Sequence, residues 1–359
     1  MSQDKAKLNI GVLSAGGFAS FAARTYMAID GVKVLGVCDI NQDAANQLAH
    51  ELGATQYVEY EAMLSNPLID LIYIGTPPHL HYQHSKLALE AGKHVICEKP
   101  AALHTAEAEE LAAYARENQL LYVVNLMQRY NPLYLKVKAI VDQAWLGNFV
   151  HGFFENYASD QALVPSHWFW DEAKSGGIFI EHAVHFFDMF SGWFGTGELM
   201  HAFELQRAGW PQITDRVQAI VLYDGHPVNF YHGFNQPKLL DHQEMRLQFE
   251  HGDITLYEWV PVKIRIHGLM KLEHLEELQE MFPDATLEFH GKQGPQQTLG
   301  SFKPIEFDAY LTLVAGNIEF KMERYAELVR DLLIDQWAWI QDRSHRRLID
   351  DTNAIESLR

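Results

Sequence analysis

The tripeptide Glu98-Lys99-Pro100 closes a run, His94-Val95-Ile96-Cys97, that otherwise reads as a buried strand. A desolvated ammonium at the end of an apolar strand is costly unless something nearby uses or neutralises it, which marks Lys99 as a candidate for chemistry. Next to a cationic ring or a forming carbonyl, a lysine can hold or pass a proton near neutrality. A second polar turn, Thr76-Pro77-Pro78 with His81 three residues on, follows the apolar run ending at Ile74. Both turns sit at carboxyl ends of strands, the edge where open parallel sheets bind ligands. A third set is Glu181, His182, His185 and Asp188. If residues 178–190 are helical, a rotation of about 100° per residue puts Glu181, His185 and Asp188 on one face, with His182 to the side. A carboxylate one turn before a histidine can fix its tautomer and raise its basicity, which suits a base collecting a hydroxyl proton. The competing reading is a buried, hydrogen-bonded structural pair. Metal binding through Glu181, His182 and His185, or through His81 and His84, lacks further ligands, and no metal site is expected.

Near the N-terminus, the apolar run Leu8 to Leu13 leads into Ser14-Ala15-Gly16-Gly17-Phe18-Ala19. A dinucleotide fingerprint places three small residues where backbone can approach a pyrophosphate at a helix N-terminus. Here they are Ser14, Gly16 and Ala19, a weak match taken alone because serine replaces the first glycine. The next apolar run, Val32 to Cys38, closes on Asp39 at the distance where a carboxylate holds the adenosine ribose. An acid there repels a 2′-phosphate, and Ile40 and Asn41 supply no cation for one, so NAD is favoured over NADP.

These sites need a scaffold, and the pattern supplies one. The apolar runs 8–13, 32–38, 68–74, 94–97 and 120–125 alternate with amphipathic segments 18–28, 41–53, 79–92 and 105–118. Strands apolar on both faces alternating with helices indicate a doubly wound parallel sheet, an α/β Rossmann-type domain over residues 1–128. Beyond about Arg129 the pattern changes. A helix over 132–143 precedes runs 149–157, 200–207, 217–223, 228–234 and 245–249, several alternating in polarity, and Thr312 to Ile340 contains a long helical pattern. Residues 129–359 therefore read as an α+β domain with a mostly antiparallel open sheet, for substrate binding and oligomerisation, its outer face available to a second subunit. A dimer or tetramer is expected.

At 359 residues the chain exceeds what one core usually serves. With 47 acidic against 28 basic side chains, the formal charge of −19 disfavours nucleic acid and anionic membrane as partners, leaving a small-molecule substrate. Cys38 and Cys97 each end a strand and read as small buried residues in a reducing compartment. The start, Met-Ser-Gln-Asp-Lys-Ala-Lys, is wrongly flanked for a signal peptide, and no stretch spans a bilayer, which points to the cytoplasm.

Four motifs together resemble the Gfo/Idh/MocA family, the relatives of glucose-fructose oxidoreductase and inositol dehydrogenase. They are Gly-Thr-Pro-Pro-His-Leu-His at 75–81, Glu-Ala-Gly-Lys-His-Val-Ile-Cys-Glu-Lys-Pro at 90–100, Gln-Arg-Tyr-Asn-Pro at 128–132, and Ser-Gly-Gly followed by Glu181-His-Ala-Val-His185-Phe-Phe-Asp188. The resemblance covers residues 8–195. It implies that Lys99 lies beside nicotinamide and substrate, and that His185 is the general acid/base with Glu181 in the place of the family's aspartate. Ala183 and Ser175 stand where relatives carry glycine.

The combined expectation is a dehydrogenase or reductase that moves a hydride between a nicotinamide and a secondary hydroxyl or carbonyl of a sugar, polyol or similar molecule. Cofactor contacts are expected from Ser14, Gly16, Gly17, Phe18, Asp39, Thr76, Pro77, Pro78, His81, Glu98, Lys99 and Arg129. The catalytic residues are Lys99, His185 and Glu181, and the substrate residues Trp168 and His182, the tryptophan by stacking on a sugar face. An NAD-dependent redox glycosidase on the same scaffold, or a non-catalytic cofactor-sensing regulator, are the alternatives.

Overall fold

Short strands that are apolar on both faces have no side to offer solvent, so they pair with one another and are roofed by helices. The computed structural model describes residues 7–359, and the reading of the extreme N-terminus falls on residues 1–6, outside the described range. Six strands form a parallel sheet: β1 (Leu8–Leu13), β2 (Val32–Cys38), β3 (Thr55–Tyr57), β4 (Leu71–Ile74), β5 (His94–Cys97) and β6 (Tyr122–Val124). Their spatial order is β3-β2-β1-β4-β5-β6, so the chain reverses direction of growth between β1 and β4. That switch point is where a doubly wound sheet opens a crevice at its carboxyl edge. The intervening helices are α1 (Gly17–Met27), α2 (Gln42–Leu52), α3 (Tyr60–Leu64), α4 (His81–Glu90) and α5 (Thr105–Glu117). Local chemistry sets their ends. Asn41 caps α2 by accepting the Ala44 N–H, and Gly53 ends it in the left-handed region at φ 66°, where a Cβ would be strained.

The chain divides into two compact units, and the first is discontinuous: it comprises the chain up to Tyr130, then Ser166–Asp188, then Tyr325–Arg359. A single boundary at residue 128 does not describe this. The C-terminal segment is tied into the first unit by polar contacts of its own. Tyr130 donates to Asp335 at 2.6 Å, the Gln336 amide donates to the Tyr130 oxygen and to the Ile349 carbonyl at 3.1 Å each, and Thr105 donates to the Leu358 carbonyl at 3.3 Å.

The second unit, Asn131–Pro165 with Met189–Arg324, holds α6 (Pro132–Asp142) and a nine-stranded sheet. Its strands are β7 (Phe149–Ser159), β8 (Gly197–Arg207), β9 (Trp210–Tyr223), β10 (His226–Gln236), β11 (His242–Phe249), β12 (Gly252–Tyr257), β13 (Lys263–Met270) and β14 (Thr286–Phe289), and, after the small hairpin β15 (Gln296–Gly300) and β16 (Lys303–Phe307), β17 (Ala309–Gly316). The order is β14-β17-β13-β12-β11-β7-β10-β9-β8, antiparallel except between β7 and β10. Alternation buries one face, with Phe154, Val228 and Phe230 inaccessible and Phe190 meeting Phe230 edge-on at 5.1 Å. The helical pattern within Thr312–Ile340 is the helix Lys321–Gln341, and the residues that open that stretch belong to β17, which pairs with β13 and β14. Cys38 and Cys97 are buried and unpaired. No helix among the described residues is long and apolar enough to cross a membrane.

Candidate active site

The turn after β1 is held from below by β2. The Ser14 amide donates to the Cys38 carbonyl at 2.8 Å, and Asp39 reaches across to accept the Ala15 N–H at 2.6 Å with one carboxylate oxygen and the Asn41 N–H at 2.7 Å with the other. Ser14 adopts φ 112° and its hydroxyl accepts the Gly16 N–H at 3.1 Å, so serine serves where glycine would be the easier residue. Gly16 caps α1 without a side chain, leaving the first-turn amides to a ligand. A Cβ on Gly17 would meet nothing within 4 Å, whereas one on Gly75 would stand 2.8 Å from the Ala19 Cβ. The turn is therefore open above and close-packed below, and it fits a pyrophosphate. Gly75 supplies the close strand-to-helix approach that sequence reading assigned to no residue; its sign was a glycine directly after a fully buried strand.

The two remaining turns are stapled together by His81. Its Nδ1 lies 2.7 Å from the Pro100 carbonyl and its Nε2 2.6 Å from the Thr76 carbonyl. Burial pulls its pKa down to about 4 against the opposing pull of the two carbonyls, and both nitrogens face backbone oxygens of the two turns. Pro78 is likewise buried, and Thr76 shares a 3.1 Å contact with His84 Nδ1. Glu98 also turns inward: its Oε1 accepts from Tyr73 at 2.5 Å and from Asn125 at 2.7 Å, tying the ends of β4, β5 and β6, and burial pushes its carboxyl up to about 7. Arg129 forms a two-pronged pair with Asp188, 2.7 and 2.9 Å, with Asp188 almost fully enclosed. That fork-to-fork geometry commits Nε and one terminal nitrogen of Arg129 to Asp188 and anchors the side chain.

Lys99 does reach the chemistry-bearing segment. Its Nζ donates to the Glu181 carboxylate and to the Glu181 backbone carbonyl, each at 2.6 Å, with both side chains largely shielded. Glu181 was expected to orient His185, but it takes Lys99 instead. The reason is local: Phe179–Ala183 winds as a π-helical turn before the regular helix Val184–Phe194 begins, so an α-helical rotation does not place Glu181 above His185. Asp188 leaves the same face for Arg129. His185 is 5% exposed, and its Nδ1 is enclosed with no hydrogen-bond partner among the described residues. Burial first, and the Lys99 ammonium second, pull its pKa down to about 3, so the ring is neutral and carries a lone pair at ordinary pH.

His167, which sequence reading missed, accepts the Phe169 N–H on Nδ1 at 3.2 Å, and burial lowers its pKa while the Glu181 charge opposes this. Trp168 leans on His167 at 5.2 Å and is half-buried, while His182 packs its ring on Phe186 at 5.5 Å. Lys99, Glu181, His185, His167 and Trp168 all belong to the first unit.

The buried imidazoles give a stability prediction. His81 and His94 are held near 4, and His185 and His232 near 3, against an ordinary value of 6.5. Below 6.5 the unfolded chain takes up protons the folded one refuses, so stability falls as pH drops from 6.5 toward 4, by about 1.4 kcal/mol per group for each pH unit at full effect. Glu98, raised to about 7 when folded, acts oppositely, its contribution being full below about 4.5 and lost as pH rises through 7. Four imidazoles outweigh one carboxyl. The melting temperature at pH 4.5 is expected to lie below that at pH 7; equal values would show that these rings are protonated in the fold.

Fold and site together define a nucleotide-dependent oxidoreductase. The oxidoreductase family with an NAD-binding Rossmann fold matches residues 8–126, and the GFO/IDH/MocA C-terminal domain matches residues 134–255. The chain belongs to the Gfo/Idh/MocA family. It is 25% identical over 281 residues to an oxidoreductase of Formosa agariphila, covering 76% of this chain and 86% of the relative. It is 30% identical over 181 residues to a scyllo-inositol 2-dehydrogenase (NAD(+)) of Bacillus subtilis, covering 50% of this chain and 51% of that one. A 3-ketoreductase of Actinomadura kijaniata, solved with NADP and TDP-benzene, shares the fold with a TM-score of 0.74 at 16% identity, covering 98% of this chain and 95% of the other. GenD2 from gentamicin A biosynthesis, solved with NAD, gives 0.74 at 16% identity, covering 99% and 93%.

Proposed function

We propose that the chain is an NAD-dependent dehydrogenase or reductase acting on a secondary hydroxyl or ketone of a sugar or polyol. The observation that carries this reading is the Lys99–Glu181 pair with the neutral His185 in the same compact unit as the dinucleotide turn. The Ser14–Ala19 turn and the amides of α1 hold the pyrophosphate, and Asp39 holds the adenosine ribose. A bound nicotinamide dinucleotide supplies the hydride acceptor. His185 receives the proton of the substrate hydroxyl on its imidazole lone pair, which is vacant at neutral pH. Lys99 has three N–H groups, of which Glu181 takes two, and the third stabilises the oxygen as it becomes a carbonyl. Trp168 offers a face to the apolar side of the sugar ring.

The preference for NAD rests on Asp39, whose carboxylate repels a 2′-phosphate. Asp39→Arg is expected to shift the ratio of kcat/KM values toward NADP by about tenfold or more, since each 1.4 kcal/mol is tenfold. No change in the ratio removes Asp39 from cofactor selection. The function itself is tested by incubating the protein with NAD and a panel of polyols and aldoses and following NADH absorbance. Turnover of a cyclic polyol or sugar supports the reading, and a panel with no turnover, with NADP also silent, overturns it.

The cytoplasmic location follows the same reading, as does a homo-oligomer. Leu199, Met200, Phe203 and Leu205 are exposed along the edge strand β8, which favours a second copy of this chain as its cover. Light scattering at a single-chain mass would contradict that.

A further inference from the structure

His167 is the second residue of Ser166–Asp188, the middle segment of the first unit. It precedes the short turn Trp168–Trp170 and caps it with its own ring, Nδ1 accepting the Phe169 N–H at 3.2 Å. That bond settles the tautomer. A ring nitrogen that accepts carries no proton, so in the neutral imidazole the proton sits on Nε2, which can only donate. Nε2 has no partner among the described residues, and the ring is half-buried, so its far edge is open to a ligand. Two neighbours indicate what kind. The Trp168 ring lies 5.2 Å away at an interplanar angle of 35°. The Glu181 carboxylate, which holds Lys99 at 2.6 Å, is close enough to act on the imidazole electrostatically. An aromatic face beside a neutral N–H donor suits a sugar or polyol: the face takes the C–H side, and the donor takes a hydroxyl oxygen.

We propose that His167 is a substrate-binding residue that donates from Nε2 to one hydroxyl oxygen of the sugar or polyol stacked on Trp168, and so sets which carbon faces Lys99 and His185. The proposal rests on the reading that Lys99, Glu181 and His185 carry hydride-transfer chemistry on such a molecule. It names a determinant of substrate choice which that reading leaves open. The ring suits the task because it stays uncharged in use. Burial lowers its pKa from the ordinary 6.5, the Glu181 charge opposing, and a proton on Nδ1 would break the bond from Phe169. A neutral donor meets an uncharged oxygen without leaving a desolvated charge when the site is empty. An analogue without the bonded hydroxyl leaves the N–H unmatched, which is how such a contact discriminates.

The test separates the two ring nitrogens. Asparagine reproduces Nδ1, since its side-chain oxygen can keep the cap on Phe169, but it does not reach as far as Nε2. Glutamine places an amide N–H near Nε2 and gives up the cap. Wild type, His167→Asn and His167→Gln are compared by steady-state kinetics, by direct NADH titration and by a melting curve. The probes are scyllo-inositol, D-glucose and the rest of the polyol and aldose panel, and the one with the highest wild-type kcat/KM is used. His167→Asn is expected to raise KM about tenfold with kcat within about threefold, and His167→Gln to keep KM within about threefold of wild type. NADH affinity is expected to be unchanged in both. A wild-type KM in His167→Asn would make the histidine only a cap and overturns the proposal. An equal loss in both variants, a loss confined to kcat, or weakened NADH binding overturns it as well. Should His167→Asn not fold, His167→Ser, another capping residue without the distant N–H, is read by the same limits. A wild-type protein silent on the whole panel refutes the dehydrogenase reading itself, and the proposal with it, a different result from any variant effect.

Discussion

Lys99→Ala is expected to lower kcat by about 10²- to 10³-fold, the loss typical when one preorganised donor to a developing charge is removed. The ammonium is preorganised because Glu181 holds it at two points, its carboxylate and its own backbone carbonyl, each at 2.6 Å. The second of these anchors cannot rotate away, since it belongs to the π-helical turn. Lys99→Arg is expected to rescue little: a planar fork cannot reproduce a compact ammonium bonded to a carbonyl and a carboxylate while leaving one proton for substrate. Direct NADH titration should show the affinity of Lys99→Ala within about threefold of wild type, because the pyrophosphate and adenosine contacts lie on other turns. A kcat for Lys99→Ala within a factor of ten of wild type would remove the lysine from the chemistry.

His185→Asn is expected to cost about 10²- to 10⁴-fold in kcat/KM for alcohol oxidation, the range for losing a positioned base. The pH profile carries the sharper signature. An imidazole held near 3 is already neutral at pH 5, so the acid limb of kcat/KM should stay flat from pH 8 down to about 5. A limb near 6.5 that disappears in His185→Asn would contradict the enclosed, uncharged ring described here. Because the Lys99 ammonium is the second cause of the low value, Lys99→Ala should move His185 upward. NMR of the ring in that variant measures the shift directly.

The fold was legible where burial is symmetrical. Val32–Cys38 and His94–Cys97 coincide with their predicted ends because strands roofed on both faces show as unbroken apolar runs. The strands β12 to β17 carried no such run; their polarity is mixed, and pairing settles them. The site divided along a similar line. The types and positions of Lys99, Glu181 and His185 could be read from the sequence, but their partners could not. Whether Glu181 serves His185 or Lys99 turns on a few degrees of helical rotation per residue, and the π-helical turn at Phe179–Ala183 leaves no mark in residue type. His81, Glu98 and Arg129 stand beside chemistry-bearing positions in sequence, yet each side chain bonds a partner on another turn, strand or helix.

The discontinuity of the first unit bears on how the chain matures. Domains generally fold as they leave the ribosome, N-terminal portions first. Here the nucleotide-binding sheet emerges early, but Tyr325, Asp335 and the helix Asp351–Glu356 are synthesised only after the whole second unit, and they belong to the same unit as the sheet. Nascent sheet therefore keeps that flank uncovered until these residues have been made, and a ribosome stalled before them would strand an aggregation-prone intermediate rather than a finished nucleotide domain.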